Sequence, residues 1–189
     1  MALGAKHIVV CDSKGILCDG DPKLDGAKAA LAKITNEKHL TGGLADAMKG
    51  ADVFVGVSVG NVVSQDMVRS MADKPILFPC ANPVPEITPE LAKEAGAYIV
   101  GTGSSQYPNQ INNVLVFPGL FRGALDVRAN TVNKEMMLAA TRGIAKCVSD
   151  EELSVDYILP YAWDKRAHAS VAEEVAKAAI ATGVSKLHK

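Results

Sequence analysis

The sequence predicts an α/β protein: a Rossmann-like parallel sheet with flanking helices and a helical C-terminal extension, its first βα unit missing. Three observations carry that prediction. Short apolar, β-branched runs end in polar or Gly-rich loops, as at residues 7–11 and 52–58. Longer segments between them carry apolar residues at helical spacing, as at Leu24, Ala27, Leu31 and Ile34. The two kinds of segment alternate, which argues for right-handed βαβ units on a parallel sheet.

Taken in order, residues 7–11 (His-Ile-Val-Val-Cys) read as a buried parallel strand ending at Asp12. A loop with Gly15 and Gly20 leads to a helix over 22–35, and Gly42-Gly43 precedes a short helix over 44–49. Residues 52–58 form the next strand. Ser64 is placed to N-cap the helix that runs to Met71. Residues 75–78 are a strand running into Cys80-Ala-Asn-Pro. Thr88 caps a helix over 89–95, with Pro89 at its first position and Glu90 in its first turn. Residues 97–100 are a further strand. Helices over 118–126, 133–148 and 169–182 follow, and residues 157–160 cross between the last two.

Composition excludes several function classes. At 189 residues the chain suits one domain, and 48% hydrophobic with 22% charged residues is ordinary for a globular protein with a sizeable core. A net charge of -1 offers no electrostatic reason to bind nucleic acid or an anionic membrane. No apolar run reaches the roughly 18 residues of a bilayer span, and residues 1–6 are too short for a signal segment. The four cysteines (11, 18, 80, 147) lack metal-ligand spacing, and Cys11, Cys80 and Cys147 read as reduced core residues. The expected location is cytoplasmic.

Chemistry concentrates after the strands, where open α/β sheets bind ligands. Asp12 sits where dinucleotide-binding units place an acidic residue against the adenosine ribose; the bland alternative is a loop carboxylate. Such an acid lies about 20 residues past a glycine fingerprint, and no GxGxxG precedes Asp12 in this chain. Lys14 and Lys23 nearby would suit an NADP 2′-phosphate, so NAD and NADP both stay open. At residues 55–58, with Gly60 beyond, Val57 and Ser58 end a strand where small residues let a dinucleotide approach; a tight turn is the alternative. Asn82, fixed in extended geometry by Pro83, is suited to orient a nicotinamide or a substrate oxygen, or else forms an Asx-turn. Asn109, Gln110, Asn112 and Asn113 form a second amide group, able to bind hydroxyl or carboxylate without added charge, although loop and helix capping must account for one or two of them. Asn112 and Asn113, leading the apolar helix, are best placed for a ligand. His7, His39, His168 and His188 read as surface or capping residues, and Tyr161 and Trp163 as packing.

Two motifs carry a resemblance. Residues 81–87 (Ala-Asn-Pro-Val-Pro-Glu-Ile) and 107–126, with Pro-Asn-Gln-Ile-Asn-Asn, closely resemble the NAD(P)-binding domain of bacterial malic enzymes, and the similarity runs from about Gly4 to Lys186. The resemblance implies oxidative decarboxylation of malate to pyruvate and carbon dioxide with reduction of NAD or NADP, in a homo-oligomeric enzyme. It implies that Asn82 and Asn112 contact malate or pyruvate, that Asn113 and Asn82 lie beside the cofactor with Val57 and Ser58, and that Asp12 holds the ribose. Residues 1–189 are then a partial NAD(P)-binding domain. The family's catalytic Tyr and Lys would come from a preceding N-terminal catalytic domain, and its glycine fingerprint and the carboxylates for Mg or Mn would also lie ahead of these residues. The isolated chain, with no recognisable base, acid or metal ligands, is expected to be inactive.

Two departures stand out: Ser104-Ser105-Gln106 where an Arg-Ser-Asp triplet is expected, and residues 160–163 (Pro-Tyr-Ala-Trp) where the family has Pro-Ser-Pro-Phe. A non-catalytic nucleotide-binding or assembly module that kept the fold is the main alternative, and the cofactor domain of an amino-acid dehydrogenase is a third that the Asn motifs disfavour. In the common doubly wound order the missing first strand would separate residues 7–11 from 52–58, so both are expected to lack a neighbour and the chain alone to be loosely packed or self-associated.

Overall fold

The computed structural model describes residues 2–187, so His188 lies outside the described residues. Parallel strands β3 (Val53–Gly56), β4 (Ile76–Pro79) and β5 (Ile99–Val100) form the sheet in the order β3-β4-β5, with Val53 opposite Ile76 and Ile76 opposite Ile99. This register puts Phe54, Leu77 and Val100 on one face. Short helices close over that face: α2 (Leu44–Met48), α3 (Gln65–Arg69) and α4 (Pro89–Glu94). Met48, Val68 and Ala92 pack with the three strand residues into one core cluster. The helix starts follow the sequence signals. Ser64 accepts from Met67 N at 3.2 Å and Thr88 from Leu91 N at 3.5 Å, with Pro89 opening α4.

The opposite face of β3 is open: Val53 is 48% and Val55 62% exposed. Among the described residues no strand pairs with the outer edge of β3.

The expected strand over residues 7–11 is not part of this sheet. His7 takes a positive φ of 51°, and only Cys11–Asp12 (β1) is extended enough to pair, antiparallel, with Gly15–Ile16 (β2). The cause is local. Gly15 at φ 122° turns the chain back, and its missing side chain leaves room for Gly42 O, 2.4 Å from where a Cβ would stand. Ile16 N donates to that same carbonyl, Leu17 N to Val10 O, and Asn36 N to Ile8 O. The segment's hydrogen bonds are thus met by loops and by the end of α1 (Gly26–Ile34) rather than by a sheet neighbour.

The C-terminal third is a separate layer of three helices: α5 (Phe117–Asp126), α6 (Lys134–Ala145) and α7 (Lys165–Ala181). Met136, Val171 and Val175 are fully buried in its core, with Leu120 and Ile144 around them. Close approach here depends on glycine. A Cβ on Gly123 would stand 2.3 Å from Ala172 O, and one on Gly119 2.7 Å from His168 O. The ends are tied by Asn133, which caps α6 at Met136 N (2.9 Å) and donates to Thr182 Oγ1 at the far end of α7 (2.9 Å).

Candidate functional site at the carboxyl edge of the sheet

Because β3, β4 and β5 are parallel, the loops that follow them leave the same edge. This is the edge where such sheets take ligands. The three loops are physically joined. Asn61 N donates to Pro85 O and Val63 N to Glu86 O, both at 3.0 Å, knitting the β3 loop to the β4 loop. The Glu86 side chain, fully buried, completes the join: its Oε1 accepts from Ser58 N (2.7 Å) and Ser58 Oγ (3.0 Å), and its Oε2 from Ala81 N (3.0 Å). Burial alone would raise the pKa of this carboxyl, but the donors from Ala81 and Ser58 outweigh it and hold the group below the usual carboxylate range. The β5 loop comes alongside at Gly103, where a Cβ would stand 3.0 Å from Asn82 Nδ2.

The expected site residues fall into two places. Val57, Ser58 and Asn82 lie at this joined edge, all exposed, with Val57 at 83%. Asn82, whose peptide bond to Pro83 is cis, spends little of its amide internally: Nδ2 reaches Cys80 O at 3.4 Å. Asp12 lies elsewhere, beside the β1–β2 turn, and shares no hydrogen bond with them among the described residues. Its carboxylate accepts from Lys28 Nζ at 2.6 Å and Lys14 N at 2.8 Å. The Lys28 hydrogen bond, then that from Lys14, lowers its pKa, while Asp12 raises that of Lys28. A pocket of about 260 Å³ opens here, lined by Asp12, Lys14, Lys23 and Lys28 among others.

The second amide group divides by role. Asn109 is structural: buried, at φ 56°, it donates to Val100 O (3.1 Å) and Val155 O (2.8 Å) and accepts from Ile158 N (2.9 Å). Gln110 Nε2 reaches Gly103 O at 3.4 Å, and Ile111 N donates to Thr102 O at 2.7 Å, so the chain returns to the β5 loop directly before Asn112. Asn112 uses its Oδ1 to cap the 3₁₀ turn Asn113–Leu115 at Val114 N (3.0 Å), leaving its Nδ2 unused among the described residues. Asn113 is exposed and its side chain makes no hydrogen bond there.

Several other expectations change. All four cysteines are free, but only Cys147 is buried; Cys11 and Cys80 are half-buried because residues 7–11 lie outside the sheet and Cys80 faces the loops. Burial raises the thiol pKa of Cys11, Cys80 and Cys147. Trp163 and Tyr161 are not core packing: they stack on one another at 4.9 Å while 75% and 53% exposed. His168 Nε2 lies 3.0 Å from Val114 O, a capping contact. The uncharged Ser104-Ser105-Gln106 stretch is held locally, with Ser104 N donating to Thr102 Oγ1 (3.1 Å). No three His, Cys, Asp or Glu side chains gather as a metal-ligand set among the described residues.

Sequence reasoning missed Glu86 and Lys28 as parts of these sites. A carboxylate between Pro85 and Ile87 was the available signal for the first. For the second there was only a lysine inside an amphipathic segment.

Residues 2–180 match the model of the malic enzyme NAD binding domain. The chain belongs to the malic enzyme family. A bifunctional malic/malolactic enzyme of Bacillus subtilis is 54% identical over 97% of this chain, and an NADP-dependent malic enzyme of Escherichia coli is 46% identical over 98%. The crystal structure of an NAD-dependent malic enzyme from Thermotoga maritima superposes with a TM-score of 0.87, at 45% identity over 93% of this chain. The chain spans 45% and 26% of the two relatives' lengths and 46% of the crystallised chain. Its parallel sheet with flanking helices is the family's NAD-binding fold. No helix of the described residues is long and apolar enough to cross a membrane.

Proposed function

We propose that this chain forms the cofactor- and substrate-facing wall of a malic enzyme, which oxidatively decarboxylates malate to pyruvate and carbon dioxide while reducing NAD or NADP. The observation that supports the reading most is the convergence of the Ser58, Asn82 and Gly103 loops at the carboxyl edge of the sheet, with amides left free to face a ligand. In this reading the amides of Asn82 and Asn112 orient the malate hydroxyl and carboxylate. Asn113 and the Val57–Ser58 strand end lie against the nicotinamide. Asp12 accepts from the adenosine ribose, and the lysines around it meet a 2′-phosphate when the cofactor is NADP. The base, the acid and the carboxylates that hold Mg or Mn are not supplied by the described residues, and we assign them to an N-terminal catalytic domain. Homo-oligomeric assembly and a cytoplasmic location belong to the same proposal.

Assay of the purified chain with malate, Mn²⁺ and each cofactor should show no turnover, whereas NADH or NADPH should bind, as read by cofactor fluorescence. In a complete enzyme carrying this domain, Asn112→Ala should lower kcat/KM by the equivalent of roughly 1–3 kcal/mol, the scale for an unpaired polar group. Unchanged kcat/KM would leave Asn112 as the cap of the 3₁₀ turn and nothing more.

A further inference from the structure

We propose that Glu86 is a positioning residue of this site, a buried carboxylate clamp that sets the Ser58 and Asn82 loops relative to one another so that both meet the nicotinamide cofactor preformed. The proposal rests on the reading of this edge as the cofactor site. Its geometry is on the molecule. One carboxylate, with no exposed surface, takes two donors from Ser58 and one from Ala81, the residue directly before Asn82. The two loops it joins are 28 residues apart in sequence at Ser58. Glycines leave room both for the carboxylate, at Gly56, and for Val84 of the same loop, at Gly60. A Cβ on Gly56 would stand 2.4 Å from Glu86 Cδ, and one on Gly60 2.7 Å from the Val84 side chain.

The donor set explains why a carboxylate is required. All three groups facing Glu86 are donors toward it, and a carboxylate is acceptor-only on both oxygens. Glutamine, of nearly the same shape, satisfies one side and turns an N–H₂ against an N–H on the other. Aspartate is one methylene short of spanning both loops. A charge this enclosed is costly to hold, and surplus hydrogen bonds to charged groups are what make it tolerable. Its place four residues after Asn82 and in direct hydrogen-bond contact with Ser58 matches the support that preorganised sites need behind their contacting groups.

The test compares the wild-type chain with Glu86→Gln, and with Gly56→Ala, which keeps the charge but displaces it. Val175→Ala, in the buried helical layer away from the loops, serves as a control for general destabilisation. Amide hydrogen exchange reads the clamp. Glu86→Gln and Gly56→Ala should each lose protection at Ser58 and Ala81 while the interior of the helical layer keeps its own; Val175→Ala should do the reverse. NADH fluorescence titration of a complete enzyme carrying this domain reads its use: dissociation constants should rise about tenfold in the first two variants and stay within about twofold in the control. Undisturbed exchange at Ser58 and Ala81 in Glu86→Gln would overturn the proposal. So would disturbed exchange with unchanged NADH affinity, which would make Glu86 a stabilising group without a positioning role. If Ser58→Ala and Asn82→Ala leave the NADH affinity of that complete enzyme unchanged, the reading of the edge as a cofactor site fails, and exchange alone decides whether the clamp exists.

Discussion

Asn109 offers the sharpest separation of architecture from ligand binding, because it stands among amides that a sequence reader groups together. Its side chain makes three hydrogen bonds, two to carbonyls and one from a backbone N–H, and it is only 6% exposed. The partners lie on β5 and on the segment near Tyr157, so one amide fastens the sheet to the crossing that leads to α7. Removing it leaves Val100 O, Val155 O and Ile158 N without this partner, at about 1 kcal/mol each, so about 3 kcal/mol in total. Asn109 also sits at φ 56°, which asparagine tolerates better than alanine. Asn109→Gly should therefore lose only the amide, while Asn109→Ala should lose roughly 1 kcal/mol more. For a chain of this size, 3 kcal/mol corresponds to a fall in Tm of about 6–12 °C. Urea and thermal unfolding of wild type and both variants would measure it. A loss below about 1 kcal/mol for both, or a glycine variant less stable than the alanine one, would refute the reasoning.

The remaining predictions concern pH, packing and cofactor choice. Glu86 has a depressed pKa when folded, so its stabilisation is fully present above the unfolded value near pH 4.3 and is lost as pH falls through the lower folded value. The stability gap between wild type and Glu86→Gln, measured by urea unfolding, should accordingly be level from pH 7 to about pH 5 and close below about pH 4. Gly123→Ala drives a Cβ to 2.3 Å from Ala172 O, and the overpacking cost of roughly 1–3 kcal/mol should exceed the helix-propensity gain of about 1 kcal/mol, lowering Tm. Gly26→Ala, at the open start of α1, meets nothing within 4 Å and should leave Tm level or slightly raised. Lys14→Ala combined with Lys23→Ala should weaken NADPH binding more than NADH binding in a fluorescence titration; equal losses would detach the Asp12 pocket from any 2′-phosphate.

What could be read from the chain divides along the range of the interactions involved. Ser64, Thr88 and Pro89 announced helix starts correctly because a cap is a contact between residues three apart. The parallel strands were legible at β3, β4 and β5 because a β-branched apolar run must bury at least one face, as Phe54, Leu77 and Val100 do here. Residues 7–11 show the limit. Their composition is that of a sheet strand, yet pairing is a property of the neighbour, and here Ile16, Leu17 and Asn36 supply closer partners. The amides show the same limit in reverse. Nothing local distinguishes Asn109 from Asn112, since the first is defined by Val155 and Ile158, which are 46 and 49 residues away. Glu86 was the least legible of all. A glutamate between Pro85 and Ile87 carries no local sign of burial until Ser58 is brought against it. Yet its burial follows from the fold once the parallel order is known. Two successive loops at one sheet edge must pack their backbones together, their N–H groups then point inward without water, and an acceptor with two free oxygens satisfies them from a single side chain. The same enclosure leaves no room for a Cβ at Gly56. On this argument the Gly56–Glu86 pair is one device: changing either residue should disturb the same two loops and leave the helical layer untouched.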